Sequence, residues 1–224
     1  EMVDHLSIIG TDHSRISVVS NTPDLTLFSR SNLTSDSVDD VSLLKLIYVG
    51  HVTRSRGLHQ VIEAISNLQG QINVRFEIAG SGPYLATLAS LIRERKLEES
   101  VILHGWLEYS KVPNLISACD VGVIPHRRNE HTNTTIPNKV FDYMACEVQV
   151  LVSDAIPLKR IVEEERCGLS FEDGNIDSIM ACLVELCDHG LRRELGYAGR
   201  MAVERSYNWE CDFKRAQDVF SQLV

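Results

Sequence analysis

Short apolar runs alternate along this chain with longer stretches in which apolar residues recur every three or four positions. Four runs are rich in β-branched and aliphatic residues, and a loop containing glycine or proline follows each of them: residues 46–49, 75–79, 101–104 and 121–124. A helical pattern follows each loop. The repeated order of strand, loop and helix predicts an α/β fold with a doubly wound parallel sheet that is buried on both faces.

The loops behind the four runs collect basic side chains. In an open parallel sheet these loops share the edge beyond the carboxyl ends of the strands, where ligands bind. The whole chain carries 22 Lys+Arg against 31 Asp+Glu, a formal charge of -9. A basic pocket on an acidic body suits a small anion such as a diphosphate and argues against nucleic acid, which requires a broad basic face. The basic residues of this edge are His51, Arg54, Arg56, His126, Arg127, Arg128, His131 and Lys139.

The first predicted helix behind this edge starts next to two arginines. Its apolar positions begin at Leu58, so its unpaired backbone N–H groups would face the loop that carries Arg54 and Arg56. A phosphate there would meet backbone donors, the positive end of the helix dipole and a guanidinium together. Two loop arginines alone would be better explained as solvated surface charges, and their position on the ligand edge is what favours a phosphate site.

A second helix is predicted to open at residues 134–137, with a threonine cap and a proline in its first turn. Asn138, Lys139 and Asp142 form a polar stripe on it that faces away from the core. In a ligand site, Asp142 would accept hydrogen bonds from a ribose while Lys139 and the helix N-terminus hold phosphate. An ordinary surface helix accounts for the same pattern about equally well.

The composition changes before the first sheet strand. Residues 2–9 predict a short helix and residues 15–19 an isolated strand, whereas the serine- and aspartate-rich residues 29–42 have the composition of a linker. We therefore expect residues 1–28 to be the tail of an upstream domain and residues 43–206 to form the main domain.

Cysteine and apolar patterns bear on the compartment. The six cysteines include no CxxC pair and no compact disulfide framework, which favours a reducing cytosol. No apolar run approaches the roughly 18 residues that a membrane span requires, and no signal-peptide pattern is found. We expect a cytoplasmic protein. His59, His104 and His189 have no partners at ligand spacing, so no metal ion is expected.

Eight short segments then follow one another in a specific order over residues 44–222. They are Tyr48-Val49-Gly50, Arg56-Gly57, Ala79-Gly80-Ser81-Gly82-Pro83, Leu103-His104-Gly105-Trp106, Cys119 to Pro125, Pro137 to Ala145, Gly168-Leu169 and Tyr207-Asn208-Trp209-Glu210. In this order and spacing the chain resembles the C-terminal, nucleotide-sugar-binding domain of retaining GT-B glycosyltransferases of the group 1 type.

The resemblance implies a Rossmann-like domain, the C-terminal half of a GT-B fold, that binds a nucleotide diphosphate sugar, UDP- or GDP-linked, and needs no cofactor. It implies transfer of the sugar to a glycan, lipid or other acceptor with retention at the anomeric carbon. The last helix, residues 207–224, would return toward an N-terminal acceptor-binding domain that this chain lacks. Any contact with a membrane surface is expected only through that domain, and the chain alone is expected to bind donor but to turn over poorly.

The resemblance also implies roles for individual residues. His51 and Arg56 occupy the two basic slots that neutralise the donor diphosphate, and Asp142 occupies the second acidic position of a two-glutamate signature, where the carboxylate holds the ribose. Arg56 and Lys139 would be catalytic, because positive charge stabilises the leaving diphosphate. The remaining donor-site residues implied by the resemblance are Gly50, Gly80, Gly105, Trp106, Leu107, Thr135, Ile136, Pro137 and Asn138.

Four residues depart from the family pattern. Thr134 stands where the signature has its first glutamate, so Glu130 or His131 would have to supply that contact to the sugar. His51 replaces an arginine and makes the phosphate contact depend on pH, because imidazole titrates near neutrality. Where the family usually has a glycine and then a proline, this chain has Glu147 and Gln149, and the lost glycine removes an easy left-handed helix cap.

These departures leave other functions open. A catalytically inactive or regulatory nucleotide-sugar-binding module fits them. A GT-B-type sugar epimerase would require its own acid and base groups in the cleft, and no strong pair stands out in the sequence. A doubly wound interaction domain without a small ligand is the simplest alternative.

Overall fold

The computed structural model describes residues 16–28 and 42–221, together with residues 6, 8 and 10–12. Its core is one sheet of six parallel strands in the order β3-β2-β1-β4-β5-β6. The strands are β1 (Leu43–Val49), β2 (Asn73–Ala79), β3 (Val101–Gly105), β4 (Val121–Ile124), β5 (Gln149–Ser153) and β6 (Gly168–Phe171). The predicted α/β class with its doubly wound, Rossmann-like parallel sheet is confirmed, and β5 and β6 extend the four strands foreseen.

Helices cover both faces of the sheet. They are α1 (Leu58–Asn67), α2 (Leu85–Glu94), α3 (Val112–Ser117), α4 (Lys139–Ala145), α5 (Ile156–Glu165), α6 (Ile176–Glu185), α7 (His189–Arg205) and α8 (Trp209–Ser221). Alternate residues of β1 point to opposite faces, so Leu46 and Tyr48 join one buried cluster with α1 and α6, whereas Ile47 joins a second cluster with α4 and α5. Both faces of the sheet are therefore buried under helices, as expected for a parallel sheet.

The sheet reverses its direction of growth at β1. From β1 the chain adds β2 and β3 on one side and then crosses to add β4, β5 and β6 on the other. The crevice beyond the carboxyl ends of β1 and β4 is therefore the topological switch point, where open α/β sheets bind their ligands. The loops discussed below all lie at this edge.

Residues 20–28 pack against the last two helices. The buried carboxylate of Asp212 accepts hydrogen bonds from the Ser20 amide and the Thr22 hydroxyl. Arg200 donates to the carbonyl of Phe28 at 2.9 Å, and the Phe28 side chain is fully buried in the cluster around α4 and α5. The segment is thus fixed to the main domain at both of its ends.

Parts of the N-terminal prediction fail or fall outside the described residues. Residues 16–19 form no strand, and no ladder pairing joins them to another segment that the structure describes. Most of the helix predicted over residues 2–9, and residues 29–41 of the predicted linker, lie outside the described residues. The domain boundaries stay predictions.

The described part of the chain also bears on membranes and thiols. None of its helices is both long and apolar enough to cross a membrane. All six cysteines lie within it and are free: Cys119, Cys146, Cys167 and Cys182 are buried, and Cys187 and Cys211 are more accessible.

Candidate functional site

A cavity of about 380 Å³ opens at the carboxyl ends of β1, β2 and β3. Its walls come from three consecutive loops and from the start of α3. The lining residues are Val49, Gly50, His51, Ala79, Gly80, Ser81, Trp106, Leu107 and Val112. Five of the predicted donor-site residues therefore line this cavity: Gly50, His51, Gly80, Trp106 and Leu107. Gly105, the last residue of β3, directly precedes Trp106.

Backbone contacts hold these loops at close range. The Gly50 amide donates to the carbonyl of Ala79 at 2.9 Å, and the Gly80 amide donates to the carbonyl of Gly105 at 2.7 Å. A Cβ atom on Gly80 would lie 1.8 Å from the Gly50 carbonyl oxygen, so no other residue fits without moving the loop. The cavity therefore depends on glycine for its shape, and not only for flexibility.

Arg56 enters the site from a short 3₁₀ turn, Arg54–Arg56, behind β1. The turn ends at Gly57, which takes a left-handed φ of 71°, and α1 starts at the next residue. Arg54 is exposed, whereas Arg56 is partly buried. The predicted helix behind the arginine loop is confirmed, and the structure separates the two arginines by burial.

Lys139 is the first residue of α4, and its ammonium reaches across to β1. Its Nζ atom lies 4.3 Å from the ring centroid of the buried Tyr48, a cation–π contact. The same atom lies 2.8 Å from the position that a Cβ on Gly50 would occupy. The side chain of Lys139 is thus directed at the loop that lines the cavity.

Lys139 also lies close enough to Arg56 for the two side chains to interact electrostatically. Burial, and then the charge of Arg56, lowers the pKa of Lys139 from 10.5 to about 7. Arg56 also acts electrostatically on the Tyr48 hydroxyl, which donates to the His51 carbonyl at 2.8 Å. Asp142 is the carboxylate that opposes this shift in the pKa of Lys139, so the positive charge of Arg56 and Lys139 is offset only in part by one acidic side chain.

Asp142 lies one turn further along α4. Burial raises the pKa of its carboxyl from 3.8 to about 6, an effect that Lys139 opposes. Its carboxylate makes no hydrogen bond within the described residues, which leaves its oxygens available to a ligand hydroxyl.

The start of α4 differs from the prediction. The helix begins at Lys139 and not at residues 134–137, and no side chain caps it. The hydroxyls of Thr134 and Thr135 donate back to the His131 carbonyl at 3.1 and 2.8 Å, so they close a preceding turn. The irregular segment before the helix consists of Thr135, Ile136, Pro137 and Asn138, and none of them is among the residues that line the cavity.

Glu147, which stands where the family usually has a glycine, adopts a backbone conformation that favours glycine. Its φ is 61°, the left-handed conformation that glycine adopts without strain. The chain keeps the turn after α4 despite the substitution. Gln149 is buried in β5, and its Nε2 has no hydrogen-bond partner in the described part of the chain.

Sequence reasoning missed several residues of this site. Tyr48 supplies the aromatic face under Lys139, and Ser81 and Val112 line the cavity. A tyrosine at the end of the first strand was visible in the sequence, but an aromatic side chain there is equally compatible with simple core packing. Within the described residues, no three His, Cys, Asp or Glu side chains stand close enough together to hold a metal ion.

The lowered pKa of Lys139 gives a pH prediction. A diphosphate beside Lys139 favours the charged amine and raises its pKa in the complex, so binding takes up a proton between the free and bound pKa values. We expect the affinity for a nucleotide diphosphate sugar to weaken as the pH rises above about 7. Calorimetry at pH 8 in two buffers of different ionisation enthalpy would measure the proton uptake. Uptake that persists unchanged in Lys139→Met would contradict the assignment to this lysine.

The fold and the site together define a Rossmann-like domain with a cavity at the carboxyl ends of β1, β2 and β3. A sequence profile of the family described as glycosyl transferases group 1 matches residues 35–201. The match covers well over half of the chain, and the chain belongs to this family.

Three similar proteins illustrate the relationship. WcaL of Salmonella typhimurium, named for glycosyl transfer in colanic acid biosynthesis, is 24% identical over 91% of this chain and 50% of its own length. The GDP-mannose-dependent monoacylated alpha-(1-6)-phosphatidylinositol monomannoside mannosyltransferase of Corynebacterium glutamicum is 28% identical over 73% of this chain and 43% of its own. The structure of Anabaena Alr3699/HepE in complex with UDP has a TM-score of 0.80 at 17% identity, over 99% of this chain and 60% of that one.

The last of these likenesses shows a shared fold. The chain spans about half the length of the curated relatives that it matches.

Proposed function

We propose that this chain is the donor-binding domain of a retaining glycosyltransferase that takes its sugar from a nucleotide diphosphate sugar, UDP- or GDP-linked. The observation that carries the proposal is the position of the Lys139 ammonium beside Gly50, which lines the cavity, with Arg56 close enough to act electrostatically on that lysine. A residue without a side chain lets a diphosphate approach the backbone, and the two cations supply the opposite charge.

Each part of the donor has a place in this proposal. The diphosphate lies between Gly50, Arg56 and Lys139, and exposed His51 closes the rim. The base lies against the Gly105 to Leu107 segment, where the Trp106 side chain is 71% exposed and free to cover it. The ribose hydroxyls donate to Asp142, and residues 135–138 line the sugar.

The chemistry assigned to this domain is electrostatic. As the bond between the anomeric carbon and the diphosphate breaks, negative charge grows on the leaving group, and Arg56 and Lys139 stabilise it. The loss of one such donor typically costs about 2 to 4 kcal/mol of transition-state stabilisation. Retention at the anomeric carbon follows from the family resemblance, and NMR of the product anomer formed by the full-length protein tests it.

Ligand titration tests donor binding. The names of similar proteins include a GDP-mannose-dependent enzyme and a complex with UDP, so we expect UDP or GDP to raise the melting temperature with increasing concentration, more than ADP does. Arg56→Ala should weaken this binding by about tenfold or more. Arg54→Ala is the matched control in the same loop, and it should have little effect because Arg54 is exposed. Equal losses in the two variants would contradict the proposed phosphate seat.

The activity of the whole protein rests on more than this domain. The chain spans about half of its relatives, and we expect the acceptor and its orienting groups to lie in an N-terminal domain, with any membrane contact made there and the protein located in the cytoplasm. Steady sugar transfer by these 224 residues alone would contradict that expectation.

One observation favours a second candidate, a nucleotide-sugar-binding module without activity. The position of the first signature glutamate holds Thr134, whose hydroxyl is already used in donating to the carbonyls of Glu130 and His131. A full-length protein that binds donor, yet neither hydrolyses nor transfers it, would support this candidate over the enzyme.

A further inference from the structure

The guanidinium of Arg56 contacts His126, which follows the neighbouring strand β4. Its Nη1 atom lies 3.2 Å from both Nδ1 and Nε2 of His126, in the loop behind β4. A neutral imidazole has one unprotonated ring nitrogen, and that nitrogen can accept a hydrogen bond from the guanidinium. Arg56 Nε is buried without a hydrogen-bond partner within the described residues. The imidazole is therefore the side chain that fixes the direction of this guanidinium.

His126 is itself held rigidly. Its side chain is buried, and the hydroxyl of Ser153 on β5 donates to its carbonyl at 2.6 Å. The next residue, Arg127, donates its amide to the Ser55 carbonyl at 2.9 Å, which ties the loop behind β4 to the turn that carries Arg56. Burial of the His126 side chain and the hydrogen bonds of its loop thus hold the imidazole in one position.

The surroundings of His126 keep it uncharged. Burial lowers its pKa from 6.5 to about 2, and Lys139, Arg56 and His131 act in the same direction. A neutral imidazole supports Arg56 without adding to the repulsion between Arg56 and Lys139. A cationic or acidic residue at this position would either repel the guanidinium or neutralise the charge that the diphosphate requires.

We propose that His126 is a positioning residue of the donor site, whose neutral ring holds the Arg56 guanidinium toward the donor diphosphate. The inference rests on the proposed function, and it makes His126 act through Arg56 rather than by touching the donor. It also explains why a buried polar ring stands behind β4, where an aliphatic residue would pack more easily.

A double-mutant cycle tests this role in the full chain. UDP, GDP and the matching nucleosides are titrated into the wild type, His126→Leu, Arg56→Ala and the double variant. His126→Leu should weaken diphosphate binding by about tenfold and leave nucleoside binding unchanged, because only the phosphate contact is lost. In the Arg56→Ala background the same substitution should cause no further loss. His126→Gln, which keeps a neutral acceptor, should recover most of the affinity.

The outcomes separate the two proposals. If neither UDP nor GDP binds the wild type, the proposed function is wrong. If one binds and His126→Leu binds it equally well, or if the two losses simply add, the role of His126 is wrong. Exposed His189 supplies the control His189→Leu, which should behave as the wild type does. Should His126→Leu fail to fold, His126→Met takes its place in the cycle, with His126→Gln as the folded reference.

Discussion

Replacement of Lys139 by methionine is expected to make the protein more stable and the donor site almost inactive. Methionine has a similar length but no charge, so the cost of burying an ammonium between Tyr48 and Arg56 disappears. The folded-state pKa of Lys139 lies below its unfolded value, so the charge costs stability fully below about pH 7, and the cost fades as the pH rises toward 10.5. The gain at pH 6 should therefore be largest, about 4 °C in melting temperature for roughly 1 to 2 kcal/mol.

The functional loss runs in the opposite direction. Without Lys139 the leaving diphosphate keeps one cation instead of two, and turnover by the full-length enzyme should fall about 30- to 1000-fold. Denaturation curves at pH 6 and pH 9, together with initial rates, measure both effects. Lys159→Met is a matched control, because Lys159 is half exposed in a surface ion pair with Glu163 and should affect neither property by much. A Lys139→Met variant that is less stable than the wild type at pH 6 would show that the buried ammonium does not lower the stability of the protein.

Substitution of Gly57 by alanine is expected to break the ligand edge. The new Cβ would stand 1.9 Å from the carbonyl oxygen of Pro125, at a φ of 71° that disfavours any side chain. The atom that the new Cβ would meet belongs to the backbone at Pro125, so rotation of a side chain cannot relieve the clash. We expect a loss of about 4 kcal/mol or more in the free energy of unfolding, with loss of nucleotide binding because Arg56 is the preceding residue.

Gly70 separates the steric clash from the effect of the backbone angle. Its φ is 78°, close to that of Gly57, but nothing lies within 4 Å of its Cβ position. Gly70→Ala should cost only about 1 to 2 kcal/mol. Urea denaturation of both variants gives the comparison, and a Gly57→Ala variant as stable as Gly70→Ala would mean that the two loops do not touch as described.

The fold was predictable because its signals are local. Each of the four foreseen strands is a short segment in which apolar residues predominate, and the helix behind Arg56 has a continuous apolar stripe. Both patterns can be recognised without tertiary information. The predicted start of α4 was wrong, and the reason is also local. Threonine followed by isoleucine and proline suits a helix cap, yet the Thr135 hydroxyl closes the previous turn instead, and the sequence pattern is the same in both cases.

The interior of the site was less accessible to sequence reasoning. The contact between Lys139 and Tyr48 joins residues 91 positions apart, and the contact between Arg56 and His126 spans 70 positions. Both depend on β1 and β4 becoming neighbours, which the order of strands along the chain does not reveal. The polar stripe of α4 indicated that Lys139 faces a ligand, but only the sheet order places its ammonium over an aromatic ring.

The attachment of residues 20–28 to the last two helices matters for recombinant work on this domain. A shortened version that begins at residue 42 would leave an empty slot where the Phe28 ring sits and would strip the buried Asp212 carboxylate of its Ser20 and Thr22 donors. Such a truncation would be less stable, although every residue that lines the cavity would still be present. Protein prepared for crystallisation or binding trials should therefore retain residues 20–28.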